Sequence, residues 1–147
     1  MKKFHSVDEV LDFAIAKEVE AYNFYIELAQ WVERAEVAKL FEDFSLEEMQ
    51  HKIKLEAIKA GKVIIQAEEV GSLNIADKME TSETKVNLSY IEALVVAMQR
   101  EKKAFRFYTN LAAICEDAEV KDILLKLAQE EAQHKLYLEI EYDLTTF

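Results

Sequence analysis

The sequence predicts an all-α protein, a four-helix bundle built from one helical hairpin used twice. Three observations carry this. The 147 residues include no proline and only two glycines, Gly61 and Gly71, which suits long uninterrupted helices and not a sheet protein rich in tight turns. Apolar residues recur in alternating steps of four and three, the inward seam of a bundle helix. The second half of the chain also repeats the first at a constant offset: 101 − 18, 131 − 48 and 134 − 51 are each 83.

The elements follow in order. Ser6-Val7-Asp8-Glu9 reads as a capping box, in which the serine side chain and the glutamate each satisfy a backbone N–H at a helix start. It opens a first helix over about 7–32. Ala35-Glu36-Val37 opens the second, which stops at Gly61, read as a left-handed C-terminal cap. Ser89-Tyr90-Ile91-Glu92 is the same capping signal 83 residues on, and it opens a third helix over about 90–115. Ala118-Glu119-Val120 opens the fourth, which runs nearly to the C-terminus. One domain over 1–147 is expected, with hairpins at about 6–61 and 89–147 and a long crossover at about 62–88. Helices of ~26 residues are about 39 Å long, and a crossover of this size can return along that length. It is read as carrying a short helix around Leu73 to Met79.

The first seam is Val7, Leu11, Ala14, Glu18, Ala21, Tyr25, Leu28, and the third helix repeats it as Tyr90, Leu94, Ala97, Glu101, Ala104, Tyr108, Leu111. The second helix gives Val37, Phe41, Phe44, Glu48, His51, Leu55, Ile58; the fourth gives Val120, Leu124, Leu127, Glu131, His134, Leu138. Each seam places glutamate, or glutamate and histidine, where leucine is expected. A bare carboxylate in a core is costly unless it is paired or binds metal. Four of them with two imidazoles point to a dinuclear metal site. A single Glu-x-x-His in an acidic helical protein is usually a solvated face. Two copies on seams, each with an upstream glutamate at the same offset, reverse that reading.

Glu48 and His51 are three apart, as are Glu131 and His134, so each pair shares one helix face with Cβ atoms roughly 5–6 Å apart. Both side chains can reach one metal, or the glutamate can bridge to a second. Mixed carboxylate and imidazole donors suit iron and manganese. Four carboxylates neutralise two divalent cations.

On these residues the chain resembles the ferritin-like superfamily, most closely its rubrerythrin-like branch. The likeness covers both hairpins and leaves out the crossover. It implies two iron ions, with manganese or zinc as substitutes. Glu18 and Glu101 would be terminal carboxylates, Glu48 and Glu131 bridges, and His51 and His134 caps of one metal each. Tyr25 and Tyr108 would donate hydrogen bonds that orient carboxylates. It also implies an oxidoreductase that reacts with peroxide or O2, or else a ferroxidase that handles iron; a metal-stabilised bundle without catalysis is the third reading, and hydroxylation of an organic substrate a minor one. Two departures bear on this. Full-length rubrerythrins carry an iron–cysteine domain that one cysteine, Cys115, cannot build, so electrons would come from an external rubredoxin-like donor. They also carry an extra glutamate three residues after the third-helix ligand, where this chain has Ala104.

The remaining features read as structure. Glu47 and Glu130 point about 100° away from their neighbours on the seam and are expected to face solvent. Glu20 is off the seam and its repeat mate is Lys103; His5 precedes the first cap; Cys115 matches Val32 in the repeat and reads as a small apolar residue; Trp31 reads as a packing or interface residue. The net charge of −11 argues against nucleic acid and anionic membranes as partners. The basic start is broken by Asp8, Glu9 and Asp12 and is not read as a signal peptide, and no run approaches the roughly 20 apolar residues of a membrane span. A cytoplasmic protein, associating as a homodimer that could exchange hairpins, is the expectation.

Overall fold

The computed structural model describes residues 6–61 and 89–147. His5 and the crossover at about 62–88, with its expected short helix, lie outside the described residues. Four helices account for nearly all the rest: α1 (Val7–Trp31), α2 (Ala35–Ala60), α3 (Tyr90–Ala113) and α4 (Ala118–Thr146), with no β-strand among the described residues. The chain divides into two compact units, one carrying α1 and α2 (Asp8–Lys62) and the other α3 and α4. The all-α class and the duplicated helical hairpin stand as the sequence predicts.

The seams are the buried faces. In α1, Leu11, Ala14, Glu18, Tyr25 and Leu28 are buried, with Val7 and Ala21 half-buried; in α3 the same pattern falls on Leu94, Ala97, Glu101, Tyr108 and Leu111, with Tyr90 and Ala104 half-buried. The second members match as well. Phe41, Phe44, Glu48, His51, Leu55 and Ile58 line the buried face of α2, and Leu124, Leu127, Glu131, His134 and Leu138 that of α4. Burying each leucine side chain stabilises by roughly 1.5–3 kcal/mol, and this apolar frame offsets the ionisable residues in the middle of each helix.

The helix ends show where the two hairpins differ. The capping box at α3 is present: Ser89 Oγ accepts from Glu92 N at 3.1 Å, and Ser89 N donates to Glu92 Oε1 at 3.1 Å. α4 starts on Asp117, which the sequence reading overlooked. Its Oδ1 accepts from Glu119 N and Val120 N at 2.9 and 3.0 Å. The repeat mate, Arg34, opens α2 with backbone only, its carbonyl taking Val37 N and Ala38 N. Gly61 corrects the expected left-handed cap. Its φ is −87°, and its N–H continues the helical ladder to Ala57 O at 2.8 Å. No left-handed residue is needed there, although a Cβ would sit 3.1 Å from that same carbonyl.

Each hairpin is also pinned at its other end. Lys59 Nζ donates to Asp12 Oδ1 at 2.6 Å, tying α2 to α1 on an exposed flank, and this bond raises the lysine's pKa. In the second hairpin, Tyr90 Oη donates to the buried Glu141 at 2.6 Å, and Thr145 Oγ1 reaches the same carboxylate at 3.3 Å.

Two outcomes follow. Asp117→Ala should cost about 1 kcal/mol in urea denaturation, whereas Arg34→Ala, which removes no cap, should change little. The bonds from Ser89 hold the Glu92 carboxyl below its ordinary value of 4.5. A carboxyl depressed in the folded state stabilises above its unfolded pKa and loses that contribution as pH falls through the folded one. Denaturation series from neutral pH to below 4 should therefore show a smaller acid-side loss of stability in Glu92→Gln than in the parent.

Candidate metal centre

Each hairpin brings three donors together. In the first, α1 supplies Glu18 and α2 supplies Glu48 and His51, one turn apart. The His51 Nδ1 lies 3.4 Å from Glu18 Oε2 and 3.2 Å from Glu48 Oε1. In the second, His134 Nδ1 lies 3.2 Å from Glu101 Oε2 and 3.4 Å from Glu131 Oε1. None of the six residues is more than 2% exposed. Within each trio one donor atom per residue lies within 4.8 Å of the others.

These separations suit a shared cation. Donors bonded at roughly 2.0–2.2 Å to one ion, and set about 100–110° apart around it, lie about 3.2–3.5 Å from each other. The nitrogen-to-carboxylate spacings in both trios fall in that range. Two carboxylate oxygens and one imidazole nitrogen, with no thiolate, suit iron, manganese or zinc. Two carboxylates also balance one divalent charge inside an apolar frame that would otherwise penalise them. The donor set fits a metal in each hairpin. The structure adds one detail that spacing cannot supply: Nδ1 is the imidazole atom that faces the carboxylates.

The surroundings of the trios differ. Tyr25 packs its ring against Phe24, Phe41 and Phe44, with centroids at 5.7, 6.2 and 5.4 Å. Tyr108 keeps the counterpart of the first contact, with Phe107 at 5.4 Å, but Leu124 and Leu127 replace the two phenylalanines of α2. Both tyrosines are buried. Glu47 and Glu130 are half-buried rather than solvent-facing, because a position about 100° off the seam falls on the shoulder of a helix and not on its outer face.

Glu141 is the buried carboxylate that the sequence reading missed. Its repeat mate is Ile58, and the mate of its partner Tyr90 is Val7. Extending the α4 seam past Leu138 by its own period reaches Glu141, so the signal was present in the offset.

The family model for rubrerythrin matches residues 9–142. The chain belongs to the rubrerythrin family. A hypothetical protein from Pyrococcus furiosus has a similar structure at 25% sequence identity, with a TM-score of 0.73 over 95% of this chain and 89% of that one. No curated protein matches. Ala104 is half-buried one turn after Glu101. None of the described helices is long and apolar enough to cross a membrane.

Cys115 follows α3 and is 6% exposed, as its match to Val32 suggests. Burial pushes its thiol pKa up, and its Sγ lies 3.6 Å from Asp117 O. The thiolate is the reactive form, so the native protein should react with a disulfide reagent at neutral pH more slowly than it does in denaturant. Equal rates in both conditions would show the thiol to be open.

Proposed function

We propose that this rubrerythrin-family protein is a di-iron oxidoreductase of a single ferritin-like domain, acting on peroxide or O2 in the cytoplasm with electrons from an external rubredoxin-like donor. The observation that carries the reading is the duplicated Glu/Glu/His trio, buried in both hairpins with matching donor spacings. In this reading Glu18 and Glu101 would be terminal ligands, Glu48 and Glu131 would be shared between the two irons, and His51 and His134 would each hold one iron.

When bound, two irons would supply electrons for reduction of the O–O bond. The chain's own residues do the rest. The four carboxylates would balance the charge of two ferrous ions. Leu11, Leu55, Leu94 and Leu138, fully buried further along the same seams, help keep the core dry. The rings around Tyr25 fix its orientation, and we assign Tyr25 and Tyr108 to orienting the carboxylates.

The test is iron content per chain after anaerobic ferrous loading, followed by H2O2 or O2 with near-ultraviolet absorption recorded. Two irons and a new absorption band support the reading. Many irons per chain would move the protein to iron storage, and a bound metal that ignores both oxidants would leave a purely structural site. Glu48→Ala should lose tight binding of the second metal while far-ultraviolet circular dichroism stays helical. Two tightly held metals in that variant would remove Glu48 from the bridge.

A further inference from the structure

The buried faces of α1 and α3 are interrupted at the same place. At about 100° of rotation per residue, the buried residues of α1 from Val10 to Ala29 fall within about 140° to one side of Glu18 and about 20° to the other. Ala21 lies about 60° into that arc, between Ala14 at about 40° and Leu28 at about 80°. Those two residues are each 2% exposed, yet Ala21 is half-buried. Its accessibility does not come from facing outward. It comes from a gap in the packing. In α3 the buried residues from Ala93 to Ala112 fall within about 120° to one side of Glu101 and about 20° to the other. Half-buried Ala104 lies between Ala97 and Leu111 in angle, and those are 1% and 0% exposed.

Within each arc only one further position is not buried, Lys17 in α1 and Arg100 in α3. Both point to the same gap. A helical side chain covers the turn on the N-terminal side of its own Cα. Volume missing at Ala21 therefore lies over the turn of Lys17 and Glu18, and volume missing at Ala104 over the turn of Arg100 and Glu101. Lys17 does not close the gap from its side, because its ammonium is held by Glu20 at 3.5 Å and over the Phe13 ring at 5.6 Å. A small side chain alone does not make such a break. Ala14 and Ala97 are alanines on the same faces, and both are closed. The six donors are closed as well, none more than 2% exposed, so each gap ends at the glutamate turn.

We propose that Ala21 and Ala104 determine which oxidant reaches the centre: the gap beside each admits a neutral molecule as small as H2O2 or O2 to the glutamate turn and keeps alkyl hydroperoxides out. The proposal rests on the di-iron reading and narrows its oxidant to a size class. Size is set by what the seams carry elsewhere. Leucine at 11, 28, 94 and 111 closes the face, and alanine has three carbons fewer than leucine. That difference makes room for a pair of oxygen atoms but not for a butyl group attached to them. An alkyl chain has no groove to lie in either, since Ala14, Tyr25 and Leu28 in α1 and Ala97, Tyr108 and Leu111 in α3 are closed to either side. Charge is selected by Glu18 and Glu101, whose carboxylates repel an anion more strongly in a buried setting than in water. The repeat supports a role tied to the centre, because the interruption recurs at the same distance from each ligand glutamate.

The experiment puts a thiol at the gap and asks what size of reagent reaches it. The full chain carries Cys115→Ala, which removes the native thiol. Ala21→Cys and Ala104→Cys are compared with Ala14→Cys and Ala97→Cys at closed positions and with Ala57→Cys at an exposed one. Each variant reacts in turn with methyl methanethiosulfonate, which is small, and with dipyridyl disulfide, which is bulky; both are neutral. The ratio of the two rates at one thiol cancels its thiolate fraction, so the ratio reads access alone. We expect the small-to-bulky ratio at 21 and 104 to exceed that at 57 by about tenfold or more, with 14 and 97 resisting both reagents. Ratios equal to that at 57, or thiols at 21 and 104 as inert as those at 14 and 97, would overturn the proposal. A second measurement needs no variant. The ferrous-loaded parent should be oxidised by H2O2 about tenfold or more faster than by tert-butyl hydroperoxide, and equal rates would also overturn it. Iron per chain separates the two readings. Size-selective thiols in a protein that binds no iron would sink the di-iron function and leave the gap standing; two irons beside unselective thiols would do the reverse.

Discussion

Six ionisable side chains sit in the buried middle of two helical hairpins, and the rest of the structure answers to that constraint. Carboxylates removed from water cost several kcal/mol each unless charge is returned to them. An apolar hairpin of ordinary length cannot absorb that without help. The help comes in two forms. Long seams of leucine, phenylalanine and alanine run to either side of each trio, and imidazole Nδ1 atoms stand 3.2–3.4 Å from the carboxylate oxygens. A cation taken between those donors completes the compensation and turns a liability of the core into a binding site.

This explains why so much was legible in advance. Helix seams are written in a period of 3.6, and the polar residues of the centre interrupt them at positions where no packing argument would place glutamate or histidine. The repeat then removes the ambiguity that a lone Glu-x-x-His leaves, since chance does not place Glu18, Glu48 and His51 and their three mates on seams at one offset. Most residues of the four seams are buried, with Ala21 and Ala104 half-buried.

What the sequence concealed was local chemistry at helix ends and flanks. Asp117 was overlooked because Ala118-Glu119-Val120 matched Ala35-Glu36-Val37 so well that the residue before it drew no notice. Yet a side-chain oxygen at that place satisfies two backbone N–H groups, where Arg34 makes no side-chain cap bond. Gly61 misled in the opposite direction. Glycine often permits a left-handed ending, whereas here the helix ends in an ordinary conformation with the Gly61 N–H still on the ladder. Neither the tautomer-bearing face of the histidines nor the half-burial of Glu47 and Glu130 follows from spacing alone, because both depend on how far a side chain on the shoulder of a helix is overhung by its neighbours.

A duplicated fold is most informative where its copies disagree. The first hairpin has the apolar Val7 and Ile58 at the positions where the second has Tyr90 and Glu141, and the second joins them by a buried hydrogen bond of 2.6 Å, which is costly to break from one side only. The two substitutions also depend on each other. Glu141 facing a valine would be a buried carboxylate without its phenol donor, and Tyr90 facing an isoleucine would lose its acceptor, so neither change is tolerable alone. The same logic separates the phenylalanines around Tyr25 from the leucines around Tyr108. The six buried donors remain identical across the two hairpins under all of these changes.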